Sequence, residues 1–182
     1  MKIAVDAREL DGNPTGVGRY LSAAILESWA TLPEASAHEI VLCRPSAGTS
    51  GTPWEQLILP RVLKRLKADV LFAPGYTGPI RCPVPMVLTI HDVSFAAHPE
   101  WFSMREGTRR RLFTWLSARR ATRVLNVSNF SKSEIVAHLG VADAKVRCHL
   151  LGTDSVAAAG CGWHGFTQRR FCAVRWVDLQ PT

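Results

Sequence analysis

The sequence predicts an α/β fold, a Rossmann-like doubly wound parallel sheet in a single domain. Three observations predict it. Short apolar runs alternate with segments of helical periodicity along residues 1–154. Gly- and Pro-containing loops separate these segments. A chain of 182 residues, 47% hydrophobic and 20% charged, can bury the core of one domain.

The elements follow in order. Residues 2–6 (KIAVD) read as a buried strand, and the loop GNPTGVG at 12–18 leads into a helix over 17–30, where Val17, Leu21, Ala24, Ile25 and Trp29 recur at helical spacing. Residues 39–43 (EIVLC) read as a second strand, followed by a Ser/Gly/Pro-rich loop from Arg44 to Pro53. Leu59, Val62, Leu63 and Leu66 form a helical stripe with Pro60 in its first turn, where a missing N–H costs nothing. Strands are expected at 69–73 (DVLFA) and at 86–90 (MVLTI), the latter running straight into His91-Asp92. A long helix is expected over 103–121, with Leu112, Phe113, Trp115 and Leu116 on its apolar side. Residues 123–127 (RVLNV) give another strand. The next helix is expected to start with Ser131 and Glu134 as a capping box and Phe130 with Ile135 as its staple, and to stop at Gly140. A last strand is expected at 145–151 (KVRCHLL). Strand and helix alternating in this way specify a parallel sheet covered on both faces.

Residues 155–182 do not continue the pattern. These 28 residues hold two of the five Cys and two of the six Trp, no Lys, and no sustained strand or helix period. With 17 Arg against 5 Lys, the chain has the stamp of a GC-rich gene, whose out-of-frame translation favours Arg, Gly, Ala, Cys and Trp. The expectation is a domain at 1–154 and an atypical tail at 155–182, frameshifted or poorly ordered.

Composition narrows the function classes. No apolar run approaches the roughly 18 residues of a membrane span, and the start MKIAVDAREL does not resemble a secretory signal, so a cytoplasmic location is expected. An odd number of Cys without a CxxC pair supports neither a disulfide framework nor a zinc site, and no metal is expected. Net charge is +7, and +6 of it lies between Arg105 and Arg123, where seven Arg accompany one acid, Glu106. Such a stretch suits an anionic partner, or is a solvated helix face. Within it, Arg109, Arg110 and Arg111 point about 100° apart around a helix. Arg110 shares its side with Thr114 and Ser117 and is the expected surface contact, whereas Arg109, beside Phe113 and Leu116, snorkels or reaches into the site. No nucleic-acid-binding module is recognisable, so no nucleic acid is expected as a partner.

In a doubly wound sheet the ligand lies beyond the carboxyl ends of the strands. The residues there are the Gly16-Val17-Gly18 turn, Gly75-Tyr76, His91-Asp92 and Ser128-Asn129. The glycine loop matches neither a dinucleotide fingerprint nor a P-loop, and reads as a phosphate-approaching helix start or a tight turn. His91 can serve as acid, base or hydrogen-bond donor, with Asp92 orienting it, or can cap the strand end. His138 and His149 are expected to be structural, and His98 to Phe102 to be a turn that packs aromatics before the long helix.

Six segments in register, IAVDAREL, TGVGRYL, ADVLFAPGY, TIHDVSFAAHPEWF, RVLNVSNFSKSEI and HLLGTD, make residues 1–154 resemble the N-terminal half of the family 4 glycosyltransferases, retaining enzymes of the two-domain GT-B type. The resemblance implies transfer of a glycosyl group from a nucleotide sugar to a sugar or lipid-linked acceptor, with no metal or other cofactor. It implies that Gly16, Val17 and Gly18 lie by the donor diphosphate, that His91 sits at the reaction centre supported by Asp92, and that Gly75, Tyr76 and Ser128 line the acceptor side. It also implies that the basic helix faces an acceptor or the inner face of a membrane. The family's second domain, with a basic residue and a Glu-x7-Glu pair for the donor, would follow Gly152-Thr153-Asp154, and 28 residues are too few to build it. The chain therefore reads as a truncated or frameshifted transferase, with two alternatives: a non-catalytic acceptor- or membrane-binding module, or one half of a split enzyme that pairs with a separate donor-binding domain.

Overall fold

The structure is a computed structural model that describes residues 1–10, 16–46, 49, 51–149 and 174–178. Its strands are β1 (Lys2–Asp6), β2 (Glu39–Arg44), β3 (Val70–Ala73), β4 (Met86–Thr89), β5 (Arg123–Asn126), β6 (Val146–Cys148) and β7 (Val174–Asp178). They form one parallel sheet in the order β6-β5-β4-β3-β1-β2-β7. The chain passes from β1 to β2 on one side, then returns across β1 to β3. The carboxyl ends of β1 and β3 thus flank the topological switch point.

Strand alternation divides the core between two faces. Ala4, Val41, Cys43, Leu71, Ala73, Met86, Leu88 and Val124 point to one, and Val5, Ile40, Leu42 and Phe72 to the other. The first face packs on helix α2 (51–66) through Trp54, Leu59, Val62 and Leu63, and on helix α5 (Asn129–Leu139) through Ile135 and Leu139. The second packs on helix α1 (16–30) through Tyr20, Leu21 and Leu26. Helices on both faces are the doubly wound arrangement that the alternating pattern predicts. In this setting burial pushes the Cys43 thiol up to about 12.

Several elements differ from the sequence-based expectation. Helix α2 starts at Gly51, not near Leu59. It includes a π-helical stretch, Trp54–Ile58, in which the Leu59 N–H donates to the carbonyl of Trp54, five residues back. That stretch carries the helix past Pro60, which cannot donate. Helix α1 has a similar stretch, Tyr20–Glu27, and opens at Gly16, so Gly16-Val17-Gly18 is the first turn of a helix and not a loop. Residues 11–15 of the glycine loop lie outside the described residues.

Helix α5 is capped by Ser128, whose Oγ accepts from the Ser131 N–H at 3.0 Å, so Ser131 is not the cap. Phe130, expected in the staple, is 74% exposed. Gly140 does end the helix, in the left-handed region at φ 60°.

Helix α4 (Met104–Arg120) reverses the expected face. Gly107, Thr114, Ser117 and Ala118 are buried, while Leu112 and Trp115 are 49% and 37% exposed. The reason is a close approach that only small side chains permit. Ser117 Oγ accepts from the Gly78 N–H at 3.1 Å and donates to the Gly78 carbonyl at 3.0 Å, satisfying a buried peptide group that no strand pairs.

Strand β6 is shorter than the expected 145–151, and residues 150–151 lie outside the described residues. Within the segment expected to stand apart from the fold, Val174–Asp178 runs parallel to β2 as the edge strand, while 155–173 and 179–182 lie outside the described residues.

Candidate functional site

The carboxyl edge of the sheet brings several loops together. Beyond β1, Arg8–Leu10 form a 3-10 turn. Beyond β3 come Pro74 to Thr77, and beyond β4 come Ile90 to Asp92, followed by the short helix α3 (Ser94–Ala97). The start of α1 meets the β3 loop: a Cβ built on Gly75 would lie 3.5 Å from Val17 Cγ1 and 3.7 Å from Glu9 Cγ. The expected glycine turn and the expected Gly75 loop are therefore neighbours.

His91 is half-buried. Its Nε2–H donates to the Pro74 carbonyl at 2.9 Å. A carbonyl only accepts, so this bond places the proton on Nε2 and leaves Nδ1 as the acceptor nitrogen of a neutral ring. Burial pushes the imidazole below its ordinary pKa, against the opposing pull of the Pro74 bond and the Asp92 charge. The ring lies edge-on to Tyr20 at 4.9 Å and beside Tyr76 at 5.4 Å.

Asp92, expected to support His91, directs its hydrogen bonds to other groups. Its Oδ2 accepts from the Tyr76 hydroxyl at 2.7 Å, and its Oδ1 accepts from the Ser94 N–H at 3.0 Å and the Ser94 hydroxyl at 2.7 Å. It holds the β3 loop to the start of α3, and it reaches His91 through its field and not through a hydrogen bond. Burial raises its pKa, but the bonds from Tyr76 and Ser94 outweigh burial and hold the carboxyl below its ordinary value. Tyr76 adopts a left-handed backbone at φ 58°, uncommon for a bulky residue. Its hydroxyl is pushed well above the ordinary phenol value, first by burial and then by Asp92.

Ser128, expected on the acceptor side, spends its hydroxyl on the α5 cap. His149, expected to be structural, joins the site. Its Nε2 is hydrogen-bonded to the Tyr20 hydroxyl at 2.9 Å, its ring stacks on Tyr20 at 5.6 Å, and burial lowers its pKa. Tyr20 also shares a hydrogen bond with Thr89 at 3.3 Å. The capacity of Tyr20 and His149 to meet depends on a separation of 129 residues, which no local pattern reports.

A cleft of about 240 Å³ opens at the switch point. One wall comes from Arg8, Glu9, Gly51, Thr52 and Glu55, the opposite wall from Arg109, Arg110, Phe113 and Thr114 of α4, and the floor from Gly75 to Thr77 and Phe95. Arg8 and Glu55 of the first wall belong to a buried ionic cluster. Arg8 Nη2 hydrogen-bonds to Glu55 and lies 3.0 Å from Asp6 Oδ2. Glu55 Oε2 also accepts from the Thr77 hydroxyl at 2.6 Å, and Asp6 Oδ1 accepts from the Trp54 indole at 3.2 Å. Sequence reading missed Arg8, Glu9 and Glu55. The only local signal was an acid ending a buried strand at Asp6, followed two residues on by Arg8.

The basic stretch divides. Arg109 and Arg110 line the cleft, and the Arg110 side chain is 49% exposed. Its guanidinium pairs with Glu106 at 2.7 Å and lies 5.9 Å from the Phe102 ring centre. Arg111 Nη2 donates to the Thr108 hydroxyl at 3.5 Å. The turn before α4 packs less than expected: Trp101 stacks on His98 at 4.1 Å yet is 66% exposed, while Phe102 packs on the core.

The family model described as Glycosyltransferase Family 4 matches residues 26–155, well over half of the chain. The chain belongs to Glycosyltransferase Family 4. No curated protein matches this family 4 domain in sequence. Among solved structures it is similar to Alr3699/HepE of Anabaena in complex with UDP-glucose, with a TM-score of 0.56 and 16% identity, covering 85% of this chain and 44% of that one. The same protein in complex with UDP and glucose gives 0.51 and 16%, covering 85% and 45%. At that identity the likeness shows the fold, the half of a GT-B glycosyltransferase. The family 4 domain thus spans less than half the length of these solved relatives. Among its described residues no helix is long and apolar enough to cross a membrane.

Proposed function

We propose that this chain is the acceptor-side half of a glycosyltransferase that moves a glycosyl group from a nucleotide sugar to a sugar or lipid-linked acceptor. One observation carries the reading: on a family 4 fold, the cleft at the switch point shares Tyr76 with the cluster that presents His91. An acceptor in the cleft would reach the neutral imidazole across Tyr76, and the first turn of α1 at Gly16, Val17 and Gly18 would face the donor diphosphate. The solved relatives' complexes with UDP-glucose and with UDP and glucose support a nucleotide-sugar donor. A separate donor-binding domain would hold the nucleotide, since this chain spans under half of those proteins. Purified 1–182 should give no turnover with a panel of nucleotide sugars and sugar or polyprenyl acceptors, and should bind UDP-glucose at roughly millimolar Kd. Turnover above a buffer blank, or sub-micromolar binding, would contradict the division of labour.

A specific observation favours a peripheral contact with the inner face of an anionic membrane. Trp101, Met104, Leu112 and Trp115 are exposed along one side of α4 and the turn before it, and the Arg119 guanidinium lies 4.9 Å from the Trp115 ring centre. Aromatic and aliphatic groups flanked by Arg suit a headgroup layer, where each basic residue contributes about 1 kcal/mol. The contact would use Arg105 and Arg119 and leave Arg109 and Arg110 in the cleft. Sedimentation with anionic vesicles should show binding that fades with salt and with Trp115→Ala. Binding to neutral vesicles alone would refute the electrostatic part.

A further inference from the structure

The geometry points to a cleft that selects an acceptor carrying an anionic group, a phosphoryl or carboxylate, on a hydroxylated ring, with Arg109 as the residue that holds the anion. This rests on the acceptor-side reading above and makes its substrate class specific. The cleft has two unlike walls. On one side Thr52 and Thr77 present hydroxyl groups beside the Glu9 side chain. On the other, Arg109 and Arg110 present guanidinium groups. Tyr76, Phe95 and Phe113 supply apolar surface between the walls, suited to the carbon face of a ring. A neutral sugar would use the first wall and leave the second without a partner.

Charge bookkeeping within the cleft singles out Arg109. Arg8, in the first wall, is engaged by Asp6 and Glu55. Arg110 is held by Glu106 through both Nε and Nη2, at 3.0 and 2.7 Å. Arg109 makes no hydrogen bond or ion pair among the described residues, and it neighbours Arg110 at the same mouth. A planar guanidinium fork without a partner, next to a second one only half neutralised, is matched by a carboxylate or phosphoryl oxygen pair. The volume agrees. About 240 Å³ is below the range of about 300–1,000 Å³ for pockets that enclose drug-sized ligands, and suits a single substituted ring better than a nucleoside diphosphate.

The test is binding to chain 1–182, followed by titration calorimetry and by amide shifts of Gly75, Tyr76 and Phe113. The probes are glucose 6-phosphate, glucuronate, glucose and inorganic phosphate. The expected result is that the two anionic sugars bind about tenfold or more tightly than glucose, as a charged hydrogen bond requires. Arg109→Gln should abolish that preference, while Arg110→Gln, whose side chain is already paired, should reduce it less. The two anionic probes separate phosphoryl from carboxylate recognition. Arg123→Gln, at the opposite edge of the sheet, is the control for net charge and should leave the preference intact.

Equal binding of glucose and the anionic sugars, with shifts at Tyr76, would overturn the anion selection and leave the acceptor reading standing. Inorganic phosphate binding as tightly as glucose 6-phosphate would overturn the sugar part. Shifts from no probe at these three residues would overturn both.

Discussion

Replacing Arg8 with Met tests the buried cluster that holds the cleft floor. Asp6 and Glu55 are 1% and 3% exposed, and the Arg8 guanidinium is the cation between them. Met keeps most of the side-chain length but leaves two buried carboxylates facing each other. Breaking a buried pair by removing one partner costs about 3–5 kcal/mol. In a chain of this size about 1 kcal/mol shifts Tm by roughly 2–4 °C, so the loss should be about 6–20 °C near neutral pH. The deficit should depend on pH. Burial already raises the Asp6 pKa, with the Arg8 charge pulling it back. Without Arg8 the folded-state value rises further. A carboxyl whose folded pKa lies above its unfolded value binds more protons folded than unfolded, so its contribution to stability falls as pH rises between the two values. Arg8→Met should therefore lose least below the ordinary Asp range and most at pH 7–8, and Asp6→Asn should rescue it in the double variant. Urea denaturation at pH 4, 6 and 8 reads this directly. A deficit under about 1 kcal/mol at pH 8, or one that does not change with pH, would refute the account of a cation-dependent cluster.

Three further outcomes follow from single contacts. Gly78→Ala should destabilise by about 1–3 kcal/mol in urea denaturation, because the new Cβ would lie 2.5 Å from the sulfur of the fully buried Met86. Ser128→Ala should cost about 1 kcal/mol and raise amide exchange in the first turn of α5, whereas Ser131→Ala, which loses no cap, should cost less. Tyr76→Phe should raise the Asp92 pKa toward the ordinary carboxylate value, seen by carboxyl NMR titration, since it removes the 2.7 Å bond to the ionised form. The contribution of Asp92 to stability, present above the unfolded pKa and lost as pH falls through the folded one, should then shrink.

The strands were legible because each is a contiguous apolar run, and contiguity is all a buried parallel strand needs. The residues at the carboxyl edge were legible for the same reason: His91, Gly75 and Gly16 follow directly from where a strand ends or a helix begins. Helix faces were not. In α4 the larger apolar residues point outward, because a hydroxyl and small neighbours are what the Gly78 peptide group requires, and that demand comes from a segment 39 residues away. The same holds for the partners of Arg8, Tyr20 and Asp92: Glu55, His149 and Tyr76 are chosen by the crossing of loops over the sheet. Hydrophobic period is a local property of the chain and sets its elements. Polar pairing at the switch point depends on which loops the sheet order brings together, and only the tertiary structure decides that.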